Sequence, residues 1–354
     1  MAVNIDVFDT PELIRAFEAT TRASSFLRDR YFGESTNFST NNVIIDTREG
    51  GEKAAPFVAP RKEGVTVTRE GYTTTEFTPP YIAPRRVLTY DDINRRGFGE
   101  AILNGLTPAA RAVQVTQRDM QDLDKMITRT EEQMAASIML NSNVVVKEIA
   151  DDVDTAEEKE IRFYAEEANP YTYTPETKWN ADKPVIFGDI LAMIRKLTTR
   201  GLGATDLIVA PDVADALIKD DDIRDMLNNR RFELGQIDPT PVTYPGASAI
   251  GVLNVYGHNI TVFSYDAMYE DASGKMTAYI PDGKVILTAP AAGALAYGRV
   301  TQLEQASGMF ADYTGDRIPK VVASAEGNIR TITLKSRPLL YPKIQGSFIS
   351  ATVL

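Results

Sequence analysis

The sequence predicts an α+β fold in which one very long helix separates a strand-rich N-terminal region from a mixed C-terminal region. Residues 34–90 alternate short β-branched runs with Gly and Pro, which is typical of strands and turns. Residues 107–141 contain no Gly and a single Pro, at position 108, which favours one continuous helix. Residues 184–300 alternate apolar strand and helix segments. Strands and helices that are grouped in this way indicate an α+β protein.

The helix predicted for Thr107–Asn141 has a well-defined start. The Thr107 side chain can accept a hydrogen bond from the first turn, and Pro108 stands where its missing N–H costs nothing. Such a helix is roughly 50 Å long. Apolar residues recur every seven positions in a narrow stripe (Val113, Met120, Ile127 and Met134). A coiled coil shows the same pattern, but the flanking segments favour a helix laid across a sheet of its own subunit, with its charged flank facing a neighbour or the interior of an assembly.

The region before the helix predicts an arm followed by an extended hairpin. We predict that residues 1–33 are a helical arm of two pieces, of which the second covers Ser24–Phe32. Strands then follow, separated by Gly and Pro: Asn42–Thr47, Val65–Arg69 and Thr74–Phe77. This hairpin is polar on both faces, and a polar two-stranded hairpin is only marginally stable alone. We therefore expect it to lie on another subunit.

The region after the helix begins with an acidic stretch, Lys147–Glu167, for which we predict a solvated strand and loop. A mixed block follows, with helices at Phe187–Thr199 and Val213–Lys219 and strands at Asp206–Ala210, Ile250–Val255, Asn259–Phe263 and Lys284–Thr288. The chain ends with two further strands, Ile329–Lys335 and Gln345–Thr352. We expect this last segment to return to the domain that contains the long helix.

Composition excludes several classes of protein. The net charge is −11 and no long basic block occurs, so tight electrostatic binding of nucleic acid is not expected. The chain has no Cys, which excludes disulfides and thiolate metal sites. It has no run of about 18 apolar residues and no signal-peptide profile, so we expect no membrane insertion and folding in a cytoplasm.

Catalytic chemistry has little support in the sequence. The only His, His258, lies between two apolar strands, where a turn residue is a simpler explanation than a catalytic base. No phosphate-binding loop is present. The acidic residues Asp220, Asp221, Asp222 and Asp225 leave a carboxylate-metal enzyme as one alternative, although nearby arginines favour a mixed-charge helix surface. We expect no enzyme activity and no cofactor.

Five elements stand in order along the chain: Phe26–Phe32, Glu76–Pro84, the long helix, Trp179 and Ser336–Leu340. In this order they resemble lambda-type phage major capsid proteins, the major capsid protein E family. The segment Phe26–Phe32 (FLRDRYF) is similar to an F-L-x-x-x-F-F element of that family. Glu76–Pro84 (EFTPPYIAP) is similar to its most specific signature. The long helix, Trp179 and the late element Ser336–Leu340 then follow in step.

The resemblance implies the Hong-Kong-97-type capsid fold. Mapped by order, residues 1–33 are the N-terminal arm and 34–90 the β-hairpin called the E-loop. Residues 91–200 are the peripheral domain with the spine helix 108–141, residues 201–325 the axial domain, and residues 326–354 return strands of the peripheral domain.

The function implied by the resemblance is self-assembly into the icosahedral head shell that encloses the DNA of a tailed phage. The implied partners are copies of the chain in pentamers and hexamers, a separate scaffolding protein, the portal and a candidate decoration protein, with DNA contacted weakly and without sequence specificity. The implied location is the phage head, assembled in the host cytoplasm. We predict inter-subunit contacts at nine residues: Phe26, Arg28, Arg30, Arg48, Lys53, Lys62, Glu76, Phe77 and Tyr81. An encapsulin-like bacterial compartment is the alternative with the same fold.

Overall fold

A computed structural model describes residues 25–47, 73–94, 107–148, 157–220, 223, 244–271, 273–304, 308–324, 327 and 329–354. The helices are α1 (Phe26–Tyr31), α2 (Tyr90–Asn94), α3 (Pro108–Asn141), α4 (Ile186–Thr198) and α5 (Pro211–Lys219). The strands up to residue 265 are β1 (Glu34–Asn37), β2 (Val43–Thr47), β3 (Thr73–Phe77), β4 (Arg85–Thr89), β5 (Asn143–Glu148), β6 (Glu157–Arg162), β7 (Thr172–Tyr173), β8 (Asp206–Val209), β9 (Ala247–Val255) and β10 (His258–Tyr265). The remaining strands are β11 (Met268–Glu270), β12 (Met276–Ala278), β13 (Lys284–Thr288), β14 (Gly293–Tyr297), β15 (Val300–Leu303), β16 (Phe310–Tyr313), β17 (Ile318–Ser324), β18 (Ile329–Lys335), β19 (Pro338–Pro342) and β20 (Ile349–Thr352).

The long helix α3 has the bounds that the sequence predicts. The Thr107 side chain accepts a hydrogen bond from the backbone N–H of Ala110, and Pro108 is the first helical residue. The helix ends at Ser142, whose backbone adopts the left-handed conformation (φ 54°) and whose N–H donates to the carbonyl of Ile138. Its 34 residues make a rod of roughly 51 Å.

The apolar stripe of α3 packs against a three-stranded antiparallel sheet with strand order β17-β18-β4. Met120, Leu123 and Ile127 form a buried cluster with Ile332 and Leu334 of β18. The prediction that the stripe faces a sheet of its own subunit is confirmed for this part. Val113, in contrast, is 51% exposed.

The largest sheet of the described residues is a six-stranded mixed sheet with the order β7-β20-β13-β8-β10-β9. Its strand β8 lies in the interior of the sheet and is buried throughout. Helices α4 and α5 bury their apolar faces in the same core as this sheet. Buried strands covered on both faces are continuous apolar runs, which is why Asp206–Ala210 is recognisable in the sequence. A smaller sheet with order β1-β14-β19 connects this region to the N-terminal segment.

The last segment of the chain is divided among three sheets. β18 lies on the long helix, and β19 pairs with β14. β20 pairs with β13 inside the six-stranded sheet and also contacts α3, where the Ser350 hydroxyl donates to the carbonyl of Leu140 at 2.6 Å. The expectation that this last segment returns to the domain of the long helix stays a prediction. Ile349, Ser350 and Ala351 are all buried, as in a strand covered on both faces.

The base of the predicted hairpin is the antiparallel ribbon β2–β3, in which Thr47 pairs with Thr73. Val43 and Ile45 are 0% and 4% exposed and pack within their own subunit, whereas Ile44 is 55% exposed. The prediction of a hairpin that is polar on both faces is therefore wrong at its base, because alternate residues of β2 place their apolar side chains against the core. Residues 48–72, including the predicted strand Val65–Arg69, lie outside the described residues.

The acidic stretch after the long helix contains strand β6, which pairs with β5. An exposed ion pair joins Lys147 to Glu158 at 2.8 Å. This agrees with the prediction of a solvated strand for residues 157–162, and residues 149–156 lie outside the described part. Among the described residues, no helix is both long and apolar enough to cross a membrane.

Candidate functional site: the junction of the N-terminal segment

The most tightly packed part of the N-terminal region is the segment Phe26–Phe32, which we refer to as the docking segment. Its helix α1 has six residues, too few for stability without tertiary contacts. Phe26, Leu27, Tyr31 and Phe32 are each at most 1% exposed. The family-like motif FLRDRYF is therefore an internal packing motif of the subunit.

Glu132 of the long helix holds the first turn of the docking segment. Its Oε1 accepts from the backbone N–H of Leu27 and its Oε2 from that of Arg28, both at 2.8 Å. The Tyr265 hydroxyl donates to the same Oε1 at 2.6 Å. These amides belong to the start of a helix, where backbone N–H groups lack intrahelical acceptors. Burial raises the pKa of the Glu132 carboxyl, although the three hydrogen bonds act in the opposite direction.

A buried ion network lies one residue away on the long helix. The Arg317 guanidinium, 2% exposed, donates to Asp124 at 2.8 Å and to both carboxylate oxygens of Glu131 at 2.7 and 2.9 Å. Arg28 of the docking segment contacts the same Glu131 at 3.1 Å. Tyr297 donates to Glu131 at 3.1 Å. Two arginines thus neutralise two carboxylates that would otherwise be costly to bury.

The second end of the docking segment is held by the six-stranded sheet. The Arg30 Nε donates to Asp206 Oδ2 at 2.7 Å, and the Tyr31 hydroxyl donates to the same oxygen at 3.0 Å. The Arg30 guanidinium also lies 4.7 Å from the ring centroid of Phe263, within the range of a cation–π interaction. Asp206 is the first residue of β8, in the interior of that sheet.

Trp179, the tryptophan of the family-like pattern, occupies a second buried polar site. Its indole N–H donates to Asp189 Oδ2 at 2.8 Å, and the Tyr173 hydroxyl donates to Asp189 Oδ1 at 2.7 Å. Burial, together with this hydrogen bond, raises the pKa of Tyr173 to about 12. Trp179 therefore has a packing role next to helix α4.

The nine predicted inter-subunit residues fall into three groups. Phe26, Arg28 and Arg30 make contacts inside their own subunit, where Phe26 is buried and the two arginines pair with Glu131 and Asp206. The inter-subunit role of these three residues stays a prediction. The other two groups, Glu76, Phe77 and Tyr81, and Arg48, Lys53 and Lys62, are described next.

Glu76, Phe77 and Tyr81 lie at the base of the hairpin. Glu76 is exposed and accepts from the Asn42 side chain at 2.7 Å. Phe77 packs on Phe163 with a ring-centroid distance of 5.3 Å, and Tyr81 is 50% exposed. Their inter-subunit role stays a prediction. Arg48, Lys53 and Lys62 lie outside the described residues.

Sequence reasoning missed the buried acids of the long helix. Asp124 and Glu131 are seven residues apart, and each follows a stripe residue, Met120 or Ile127, by four positions. Residues four apart share a helix face, so this spacing is a signal that these carboxylates point toward the core. Arg317 carried no comparable signal, because its partners are distant in sequence.

The alternative of a carboxylate-metal enzyme receives no support from the described residues. Asp220 Oδ1 accepts the backbone N–H of Ile223 at 3.0 Å, while Asp221, Asp222 and Asp225 lie outside the described part. Within the described ranges, no three His, Asp or Glu side chains are placed to hold a metal ion. His258 follows a turn at Tyr256 and Gly257, both with positive φ.

Comparison of this chain with known proteins shows the family to which it belongs. The family described as phage major capsid protein E matches residues 9–353. The chain belongs to the phage major capsid protein E family.

The major capsid protein of Escherichia phage lambda is 24% identical over 351 residues, covering 98% of this chain and 99% of the relative. That of Enterobacteria phage P21 is 23% identical over 338 residues, covering 94% and 95%. The crystal structure of a prophage protein of Escherichia coli CFT073, assigned as a capsid protein, superposes with a TM-score of 0.69 at 17% identity, covering 98% and 99%.

The protein is a major capsid protein of a tailed phage, with the Hong-Kong-97-type α+β fold, and is a component of the phage head. The recognition of the family from these sequence elements is confirmed. The encapsulin-like alternative is the weaker one, since the family match extends through nearly all of the chain.

Proposed function

We propose that this capsid protein forms pentamers and hexamers that close into an icosahedral shell around packaged DNA. In this proposal, residues 1–33 are the arm, 34–90 the E-loop, 91–200 the peripheral domain, 201–325 the axial domain and 326–354 the return strands. The work of the protein is done by interfaces, so the proposal includes no catalytic step and no cofactor.

The observation that supports this assembly most directly is the exposure of large apolar side chains on separate hairpins. Phe310 and its cross-strand partner Leu303 are 77% and 43% exposed, and Met309 is 67% exposed. Elsewhere, Met268 and Met276 of β11–β12 are 53% and 57% exposed. A stable dimer usually buries about 800 Å² per partner, which no single patch of two or three side chains provides. Several small contacts per subunit suit a closed shell, where each copy has many neighbours.

The predicted inter-subunit contacts belong to the same proposal. Glu76, Phe77 and Tyr81 lie where the ribbon β2–β3 leaves the core, so a neighbouring copy that covers the ribbon would reach them. Arg48, Lys53 and Lys62 come between the two strands of this ribbon in the sequence, within the proposed E-loop.

Charge constrains the remaining partners. A subunit with a net charge of −11 repels phosphate, so we propose that packaged DNA is contacted weakly and without sequence specificity. A separate scaffolding protein, a portal and a candidate decoration protein complete the proposed set, and assembly takes place in the bacterial cytoplasm.

Electron microscopy of the purified protein, expressed with and without the scaffolding protein of its phage, tests the proposal. We expect shells, tubes or capsomers. A protein that stays monomeric under both conditions would contradict it.

The role of the proposed E-loop can be tested separately, because the two strands at its base are paired in a defined register. Thr47 and Thr73 pair directly, so an Asn-Gly dipeptide can replace residues 48–72 as a two-residue hairpin turn. We expect this variant to fold with an unchanged circular dichroism spectrum but to form no shells. Normal shells would remove the E-loop from the proposal, and loss of folding would contradict the domain map. A matched control replaces the tip of the ribbon β9–β10, Tyr256-Gly257, with Asn-Gly, which should leave both properties unchanged.

A further inference from the structure

We infer that the docking segment is the joint that sets the angle between the long helix and the six-stranded sheet, and that Glu132 is its positioning residue. Shell curvature would then depend on contacts inside the subunit as well as on its interfaces. The part of this inference that concerns the shell rests on the proposed function, whereas the part that concerns the angle does not.

The docking segment adds a further attachment between α3 and the six-stranded sheet, which also meet directly where the Ser350 hydroxyl donates to the carbonyl of Leu140. Its first turn is held by α3, through the backbone amides of Leu27 and Arg28 on Glu132. Its last turn is held by β8, through Arg30 and Tyr31 on Asp206. Since α1 has only six residues, these two attachments are separated by little more than one helical turn. A short, rigid connector between two elements restricts their relative rotation.

Glu132 is the point at which three elements meet. Its carboxylate receives two N–H donors from α1 and one hydroxyl from Tyr265 at the end of β10, while its backbone belongs to α3. Because the amides of Leu27 and Arg28 donate to two different oxygens of Glu132, they determine the orientation of α1 as well as its position. Because the site is buried, each hydrogen bond is stronger than it would be in water and costly to break.

Aromatic packing closes the same space. The Phe26 ring lies 5.4 Å from Phe263 and 5.3 Å from Tyr265, both on β10, and 5.7 Å from Tyr244. At the other end, Phe32 stacks on Phe348 at 5.4 Å. The docking segment therefore fills the space between α3 and the six-stranded sheet, so its packing opposes both a smaller and a larger angle between them.

A small rotation at this joint has a large effect at the end of the helix. From Glu132 to Pro108 the helix is roughly 36 Å long, so a tilt of about 5° about Glu132 moves Pro108 by about 3 Å. Such a displacement is large compared with the tolerance of a packed interface. Loosening the joint should therefore change which curvatures the subunit can adopt.

The first test measures the angle in the subunit itself. The chain contains no cysteine, so Lys125→Cys on α3 and Lys219→Cys on α5 provide two unique spin-label sites with exposed side chains. In this background, Glu132→Gln removes one acceptor, because the amide nitrogen of Gln donates and cannot accept from Leu27 or Arg28. We expect a broader distribution of spin–spin distances and exchange of these two amides that is faster by on the order of tenfold.

Asp189→Asn is the matched control. Asp189 is also a buried carboxylate that accepts from a tyrosine hydroxyl and one further N–H, but it does not touch the docking segment. The control should lower stability comparably and leave the distance distribution narrow. Asp206→Asn, at the other end of the segment, provides an independent variant in case Glu132→Gln does not fold, and it too should broaden the distribution.

Shell diameters measured by electron microscopy provide the second readout. We expect Glu132→Gln shells to be heterogeneous in diameter and Asp189→Asn shells to match the wild type. A broadened distance distribution with wild-type shells would overturn the link to curvature. An unchanged distribution in Glu132→Gln and Asp206→Asn would overturn the joint itself. Absence of shells from the wild-type protein would count against the proposed function and leave the spin-label result as the test of the joint.

Discussion

The ring of Phe32 occupies the space that a Cβ atom on Gly293 would require. Gly293 begins strand β14, which pairs with β1 directly after the docking segment. The close approach of ring and backbone explains why glycine stands at this buried position, although its φ is not positive.

Gly293→Ala should therefore displace Phe32 and lower the free energy of unfolding by about 1–3 kcal/mol, the usual range for overpacking. Urea unfolding measures the effect. Gly203→Ala is the control, since a Cβ there meets no atom within 4 Å, and it should change stability little. Adding Phe32→Leu to Gly293→Ala should recover part of the loss. Equal effects of the two Gly→Ala changes would contradict the steric explanation.

Replacing Arg317 should strongly destabilise the subunit, because this arginine neutralises buried carboxylates. Arg317→Met leaves Asp124 and Glu131 buried with one cation fewer, which should cost about 3–5 kcal/mol in the free energy of unfolding. Lys147→Met, in an exposed ion pair, should leave the urea midpoint unchanged. A small effect of Arg317→Met would mean that water or a shift of the helix compensates the carboxylates.

A substitution at Thr116 should increase the free energy of unfolding, in contrast to Arg317→Met. The Thr116 hydroxyl is buried, and Oγ1 has no hydrogen-bond partner in the part of the chain that the structure describes. Thr116→Val should raise the free energy of unfolding by about 1 kcal/mol, because an unsatisfied polar atom is replaced by a methyl group. Thr128→Val, on the same helix, removes the oxygen that accepts from Arg317 at 3.3 Å and should destabilise. Thermal melting of the two variants distinguishes these outcomes, and a destabilised Thr116→Val would contradict the assignment.

The raised pKa of Glu132 predicts a pH dependence with a defined sign. The native state holds the carboxyl proton to a higher pH than the unfolded chain, whose ordinary value is 4.5. The resulting contribution to stability is present below that value and is lost as the pH rises through the raised pKa. The difference in free energy of unfolding between the wild type and Glu132→Gln should therefore decrease with rising pH, as measured by urea unfolding across this window.

The exposed residue Glu160 provides the contrasting control for that experiment. Hydrogen bonds from Arg162 and Asn143 lower its pKa, so its contribution is lost as the pH falls. The difference between the wild type and Glu160→Gln should increase with rising pH. If both differences changed in the same direction, burial would not be the cause of the shift at Glu132.

Local pattern was enough to predict much of the fold. The helix bounds at Pro108 and Asn141 follow from an N-cap, a proline and the absence of later breakers, which are properties of neighbouring residues. The central strand β8 follows from its continuous apolar run. The family followed from motifs of which Glu76–Pro84 was the most specific.

The junction, in contrast, was decided by tertiary structure alone. Leu27 and Glu132 are 105 residues apart, and Arg317 reaches Glu131 across 186 residues. Charged side chains on a helix are ordinarily solvated, so their burial depends on a partner that only the folded chain brings into contact. The sequence by itself determined the elements and the family. Long-range packing decided which charged side chains are buried and that the motif Phe26–Phe32 faces inward. A charged group can be buried only where the folded chain supplies its counter-ion or hydrogen-bond donors.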